Sequence, residues 1–499
     1  MSQKNTGSPS ASVSNWLALV ILTIGVTLLS IDNTVLALAM PALEAALHPT
    51  AVQMLWIADI YGFFLAGFLV VGGNLADQFG RKRILIIGFA IFGVLSAAVA
   101  WSTSPTMLIV FRAILGISAA LIMPATLALV RTIFLDDTQR TLAIAIWSAG
   151  STGGMALGPV LGGFLLEHAW WGSVFLINTP IMLVVIIAGI FLLPESRSTE
   201  RGGIDILSAC MSVLALLGIV FAIKDYANQG FSLHTTAIVL VSIALFIVFL
   251  RRQSSIKRPI LDLDLFKLPS FNWALFVSML AIFSFAGLFF FFPQYLQLVR
   301  GFSPLKAGGI EIVGMIFAAF AIVALPPLVR RYGQGRALGI ALGVMACGFI
   351  GIAVSESFEH FSVFIVALAL IGFGAGLAYP AATDILISAA PPERAGAASS
   401  LSQTAYQLGT ALGIAVFGSI VSLVYRMKLE VPDSAAELRD IVSESLASAQ
   451  SLLNDADPLS QQILQSARAA FAYAMQETSV LAAALLFFAL IIAWRKLSD

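Results

Sequence analysis

Fourteen stretches of this chain are each long and apolar enough to cross a lipid bilayer, and no other feature constrains its folding as much. They fall at 16–40, 53–72, 84–102, 106–130, 141–166, 173–193, 205–223, 235–250, 271–293, 306–328, 337–354, 361–387, 398–425 and 474–494. A helix rises about 1.5 Å per residue, so roughly 20 apolar residues cover the hydrocarbon core. Runs of this length predict an all-α integral membrane protein. Composition agrees: 59% of the 499 residues are hydrophobic and 11% are charged. A soluble domain carries roughly 25% charged residues, and this chain has too few polar groups to cover a soluble surface. The excess must face lipid. The run from Trp16 to Met40 is too long for a signal-peptide core and lacks a small-residue cleavage site, so it reads as a retained first span.

Several functions are excluded at once. Formal net charge is zero and no basic cluster is interleaved with aromatics, so nucleic acid is not an expected partner. Cys210 and Cys347 each lie in an apolar stretch, which suggests packing rather than a disulfide or a metal site. No Gly-Lys pair occurs anywhere, so the chain has no phosphate loop and is not expected to hydrolyse ATP. His-Glu-x-x-His, Cys-x-x-Cys and Gly-x-Ser-x-Gly are also missing, and no enzyme chemistry is expected. No cofactor is expected either. An ion gradient remains as the energy source, and titratable acids within the spans point to protons.

Basic residues set the direction of threading. With the N-terminus in the cytoplasm, nineteen of the 27 lysines and arginines fall on the cytoplasmic side. Seven, Lys224 among them, fall outside, and Arg112 lies within a span. Both termini are then cytoplasmic, in the inner or plasma membrane of a bacterium. Residues 1–15 form a polar tail, and 426–473 form the longest polar interruption, on the outside. Within that interruption, Ser434–Leu453 and Pro458–Met475 show helical spacing, which predicts a short external helical hairpin serving as a connector or a lid. His48, His168, His234 and His360 fall in external loops and read as ordinary interfacial residues.

A sequence element recurs. Gly73-Asn-Leu-Ala-Asp77-Gln-Phe-Gly80-Arg81-Lys82-Arg83 follows the second span, and Arg331-Tyr332-Gly333-Gln334-Gly335-Arg336, lacking the acid, follows the tenth. A six-helix unit repeated around two extra helices explains the spacing, and repeated halves around a central site are a transporter arrangement. The expected organisation is a half at 16–193, two inserted helices at 205–250 and a second half at 271–494.

Segment 73–83 resembles the cytoplasmic-loop motif of the major facilitator superfamily. Ile31-Asp32-Asn33-Thr34-Val35 with Ala39-Met40-Pro41 resembles the first-helix motif of its fourteen-helix drug:proton antiporter branch. Arg112 with Gly116 is similar to the fourth-helix basic motif, and Gly154, Gly158, Pro159, Gly162 and Gly163 to the fifth-helix antiporter motif. Trp56 to Tyr61, with Asp59 between, resembles the second helix of quaternary-ammonium and dye exporters. Some of those exporters carry acids in the thirteenth helix where this chain has Gln403 and Gln407, a departure that bears on divalent cations more than on transport. The resemblance implies two six-helix halves plus two inserted helices, working as a monomer that exchanges protons for small lipophilic cations across the bilayer.

A charge near the bilayer centre costs roughly 2.5–3.5 kcal/mol on insertion scales, so Asp32, Asp59, Arg112 and Glu311 each need a reason to be there. Counted from the span ends at 1.5 Å per residue, all four lie about 8–12 Å below the outer edge. One site between the halves could therefore use them all. A carboxylate in low-dielectric surroundings can hold either a proton or a cation, and that exclusion is antiport. Structural ion pairing is the alternative for each. Asp77 and Arg81, with Gly73 and Gly80 at the turn, form a candidate cytoplasmic gate or else a plain charged turn. Asn33, Thr34, Trp56, Tyr61, Gln403, Tyr406 and Gln407 are candidates for the cavity wall, as are Trp147, Tyr379 and the Phe289–Phe292 run beside Pro293. Lipid contact explains such aromatics equally well. Asp384 reads as an ordinary interfacial acid.

Overall fold

The computed structural model describes residues 12–197, 205–230, 232–256, 259, 261–355, 361–391, 394–453 and 457–497. Most of the 1–15 tail, Arg201, Lys257, Arg258, His360 and Glu393 lie outside the described residues. Among the described residues, fourteen helices are long and apolar enough to cross a membrane. They are α1 Val13–Leu47, α2 Ala51–Phe79, α3 Arg81–Ala100, α4 Pro105–Ile133, α5 Asp137–His168, α6 Ser173–Leu192 and α7 Ile206–Gln229. The series continues with α8 Leu233–Gln253, α9 Pro269–Val299, α10 Pro304–Tyr332, α11 Gln334–Ser355, α12 Ser362–Ala389, α13 Ala395–Lys428 and α14 Pro458–Lys496. No strand occurs among the described residues.

The helix starts are written locally. Ser12, Thr50, Ser104, Asp136, Asp205, Ser232, Ser303 and Asp457 each accept a hydrogen bond from the backbone N–H three residues on. These side chains satisfy donors that the first turn leaves open. Pro105, Pro269, Pro304 and Pro458 occupy the first helical turn, where no N–H is required.

Helix pairing repeats with an offset of eight. In the first half α1 packs on α5, α2 on α4 and α3 on α6; in the second α9 packs on α13, α10 on α12 and α11 on α14. The halves meet along two equivalent seams, α2 against α13 and α5 against α10. Of the two inserted helices, α7 touches both α2 and α13, so it lies across one seam, and α8 packs on α7. Leu233, Leu240, Val241 and Val248 of α8 are exposed, as lipid contact requires.

Fourteen crossings put Val13 and Lys496 on one side of the bundle, here the termini face; the opposite side is the cap face. Residues 429–457 on the cap face differ from the expected hairpin. The first arm is broken into the 3₁₀ turn Asp433–Leu438 and the short helices Arg439–Val442 and Leu446–Leu452. The second arm is no separate element, because α14 runs unbroken from Pro458 through the bilayer region to Lys496. Nothing in 458–475 breaks a helix after the opening proline, so the apolar span simply extends it.

Candidate functional site

Among the described residues, Asp32, Asp59, Arg112, Lys224 and Glu311 are charged side chains buried in the bundle, each 2% exposed or less. They occupy three separate places rather than one shared site. In the first, Arg112 Nη1 on α4 faces Asp32 Oδ2 on α1 at 3.7 Å, inside the N-terminal half. The arginine is turned by its other contacts: Nε donates to the Ile57 carbonyl at 2.8 Å, and the Tyr61 and Phe175 rings lie 5.3 and 6.0 Å away. Asn178 Nδ2 donates to Asp32 Oδ1 at 3.2 Å and to Ser96 Oγ at 3.5 Å. Asn178 is in position because α6 breaks at Ile177, between Ser173–Leu176 and Asn178–Leu192. Asp32 Oδ2, Arg112 Nη1 and Asn178 Oδ1 make no hydrogen bond to any described residue. The cluster is loose, with an oxygen able to accept a proton.

The second place is tight. Lys224 Nζ on α7 lies 2.8 and 3.0 Å from the two carboxylate oxygens of Asp59 on α2 and 3.7 Å from the centre of the Trp56 ring. The apolar run ends at 223, and on that pattern the sequence places Lys224 in an external loop. The helix instead continues to Gln229, and this turns the ammonium into the α2 interface.

The third place holds Glu311 alone. Its Oε1 is buried and makes no hydrogen bond to any described residue. One turn earlier, Gly308 sits so close to α5 that an added Cβ would lie 2.1 Å from the Pro159 carbonyl oxygen. Glu311 thus borders the α5–α10 seam, apart from Asp32 and Asp59.

The order of the helices, their pairing and the repeat fit one architecture, and the sequence comparison decides it: the Major Facilitator Superfamily pattern matches residues 22–414. The chain belongs to the Major Facilitator Superfamily. It is a multi-pass membrane transporter, not an enzyme. It is 39% identical over 472 residues to the multidrug efflux pump LfrA of Mycolicibacterium smegmatis, covering 94% of each chain. It is 36% identical over 461 residues to the methyl viologen resistance protein SmvA of Salmonella typhimurium, covering 91% of this chain and 93% of that one. The solved inward-facing structure of a bacterial homologue of the lysosomal transporter Spinster superposes with TM-score 0.66 at 17% identity, covering 98% and 99% of the two chains, so it shares the fold.

In this superfamily member the fifth-helix glycines serve two partners. An added Cβ would lie 2.5 Å from the Thr27 carbonyl oxygen at Gly154, 2.0 Å from Thr34 Oγ1 at Gly158 and 2.3 Å from Val35 Cγ2 at Gly162, all on α1. At Gly163 it would meet Leu305 and Pro304 of α10 at 2.7 Å. One face of α5 therefore builds the first half, and the other closes a seam between halves.

On the termini face, Arg81 Nε and Nη2 bind Asp77 Oδ1 at 2.9 and 2.8 Å, and Nη1 donates to Thr132 Oγ1 on α4 at 2.8 Å. Gly80 takes φ 113°, a region open to glycine, where the chain turns into α3. In the second half Gln334 Nε2 donates to Asp384 on α12 at 2.5 Å. Both ties join the second-to-third-helix connection to the fourth helix of the same half.

The wall candidates divide. Thr34 Oγ1 bonds back to Ser30 and Ile31 carbonyls, Tyr61 is packed beneath Arg112, and Gln407 is buried. Trp147 Nε1 donates to Thr126 Oγ1 at 3.3 Å. Asn33 is exposed in the middle of α1, and Gln403 Nε2 donates to Tyr379 Oη at 3.2 Å beside the edge-on Tyr406 ring. Phe290 and Phe291 line a small, open-mouthed cavity at the cap end of the α2–α13 seam, together with Met40, Glu44 and Tyr425. Sequence reasoning missed Glu44 there, buried and accepting from Ser448 Oγ at 3.2 Å. It also missed Asn178 and the inward aim of Lys224.

Proposed function

We propose that this transporter exports lipophilic cationic drugs, dyes or quaternary ammonium compounds in exchange for protons. On this reading the termini face is cytoplasmic, in keeping with the excess of basic residues there. Asp32 is the proton carrier, and Arg112 and Asn178 hold it. Asp77 and Arg81 brace the cytoplasmic side, and the proton gradient drives the cycle.

The observation that carries the reading is the loose geometry at Asp32. A fully compensated structural pair would close to about 2.8 Å with both carboxylate oxygens bonded. Here the nearest cationic nitrogen stands at 3.7 Å, and Oδ2 makes no hydrogen bond. Proton uptake there alters the charge balance of α1, α4 and α6 together. The relatives support the cargo: a multidrug efflux pump and a methyl viologen resistance protein match over nearly the whole chain, and methyl viologen is an organic cation.

The test is ethidium transport in sealed vesicles under an imposed pH difference. The wild type drives ethidium uphill, and Asp32→Asn, correctly inserted, does not. Full proton-driven flux by Asp32→Asn, or no flux by the wild type, overturns the reading. The partly exposed neutral cluster of Tyr379, Gln403 and Tyr406 favours a second one, an uncharged cargo. That reading predicts protection of cells against neutral drugs and none against dyes.

A further inference from the structure

Asp59 and Trp56 are three residues apart on α2 and share one helix face. Together they present a carboxylate and an indole ring to the same point, and at that point lies an ammonium group. A carboxylate beside a tryptophan face is the chemistry that recognises organic cations. The group that fills it belongs to the protein itself. We infer that Asp59 and Trp56 form a binding box for an organic ammonium or pyridinium cation, and that Lys224 of α7 is its tethered resident, displaced when such a cation binds. The inference rests on the cationic cargo proposed above and adds the place where it is recognised and the residue that competes with it.

Three observations support an exchangeable resident rather than a fixed brace. The box lies on the boundary between the halves: α7 packs on α2 of one half and α13 of the other. Its surroundings are apolar, with Phe63, Val220, Ala411 and Ala415 fully buried and Trp56, Leu216 and Leu412 against them, so a greasy cation meets matching walls. The exchange is also neutral in charge. One monovalent cation replaces another, and Asp59 is never left uncompensated, the condition that makes breaking a buried pair costly. Lys224 lies about 8 Å from the cap end of α7 at 1.5 Å per residue, and a lysine stem can carry its ammonium to the interface. The neighbouring Asp225 accepts from Thr235 on α8, which anchors the inserted pair while the lysine swings.

A resident that occupies the box weakens apparent affinity by the fraction of time it is seated. The experiment measures equilibrium binding of tetraphenylphosphonium to purified full-length protein at fixed pH, with the melting temperature recorded for each form. Lys224→Met should bind about tenfold more tightly than the wild type. Asp59→Asn should bind weakly, and the double variant Asp59→Asn/Lys224→Met should bind no better than Asp59→Asn. Should Lys224→Met fail to fold, Lys224→Gln, whose amide can still donate to Asp59, should show the same gain. Wild-type binding with no gain in folded Lys224 variants overturns this inference and leaves cation export standing. A gain that persists in the double variant also overturns it. No binding by any form overturns the cationic cargo and the box together.

Discussion

At the scale of single residues, the pairing of Arg112 with Asp32 matters through what is left when one partner goes. Arg112 is fully inside the first half, where its charge is offset by a carboxylate at 3.7 Å, a carbonyl and two ring faces. Removing one member of a buried pair costs about 3–5 kcal/mol, because the survivor stays desolvated and unpaired. Arg112→Met should therefore lower the melting temperature in detergent more than the double variant Asp32→Asn/Arg112→Met, which leaves no lone charge. The thermal-shift cycle checks the sign. If the double variant is the less stable of the two, the bond that Asp32 accepts from Asn178 outweighs the relief of its unpaired charge.

At the scale of elements, most of the architecture was legible because a membrane span announces itself through one property, about 20 apolar residues in a row. Side-chain aim carries no such signal. Lys224 sits where an apolar run gives way to polar residues, and a lysine there reads as a boundary. Its partner lies on a helix 165 positions away in sequence, and no local pattern reports that contact. Asn178 was obscured in the same way, by a one-residue break at Ile177. Glycine spacing on α5 was legible as close packing, but which glycine faces which helix was not. That distinction makes a prediction. Gly158 faces α1 of its own half, so Gly158→Leu should lower the melting temperature and the yield. Gly308 of α10 faces Pro159 across the seam. A small-to-large change in a packed contact costs about 1–3 kcal/mol. Charged against the closed seam, that shifts the conformational balance about 5- to 150-fold. Gly308→Val should accordingly keep its melting temperature and its tetraphenylphosphonium binding while proton-driven export falls. Comparing binding and flux on the same preparation separates the two outcomes, and equal loss of both would count against the seam as the moving part.

At the scale of the whole molecule, the two seams are related by the internal repeat, since each joins the second helix of one half to the fifth of the other. A carrier that exposes a central site to alternate faces must open and close such seams, so pinning one should stop the cycle without disturbing either half. The α2–α13 seam offers the geometry: a Cβ placed on Gly62 would lie 3.2 Å from that of Ala411. A disulfide spans Cβ atoms about 3.5–4.5 Å apart, so small backbone adjustments suffice. In a chain with Cys210 and Cys347 replaced by serine, Gly62→Cys with Ala411→Cys should cross-link under mild oxidation. Proton-driven ethidium flux should then fall to the level of empty vesicles and return on reduction. Each single-cysteine variant should be indifferent to the oxidant. Cross-linked protein that still transports at the reduced rate would mean that α2 and α13 move as one body. Alternation would then have to run through the α5–α10 seam alone, where Glu311 stands.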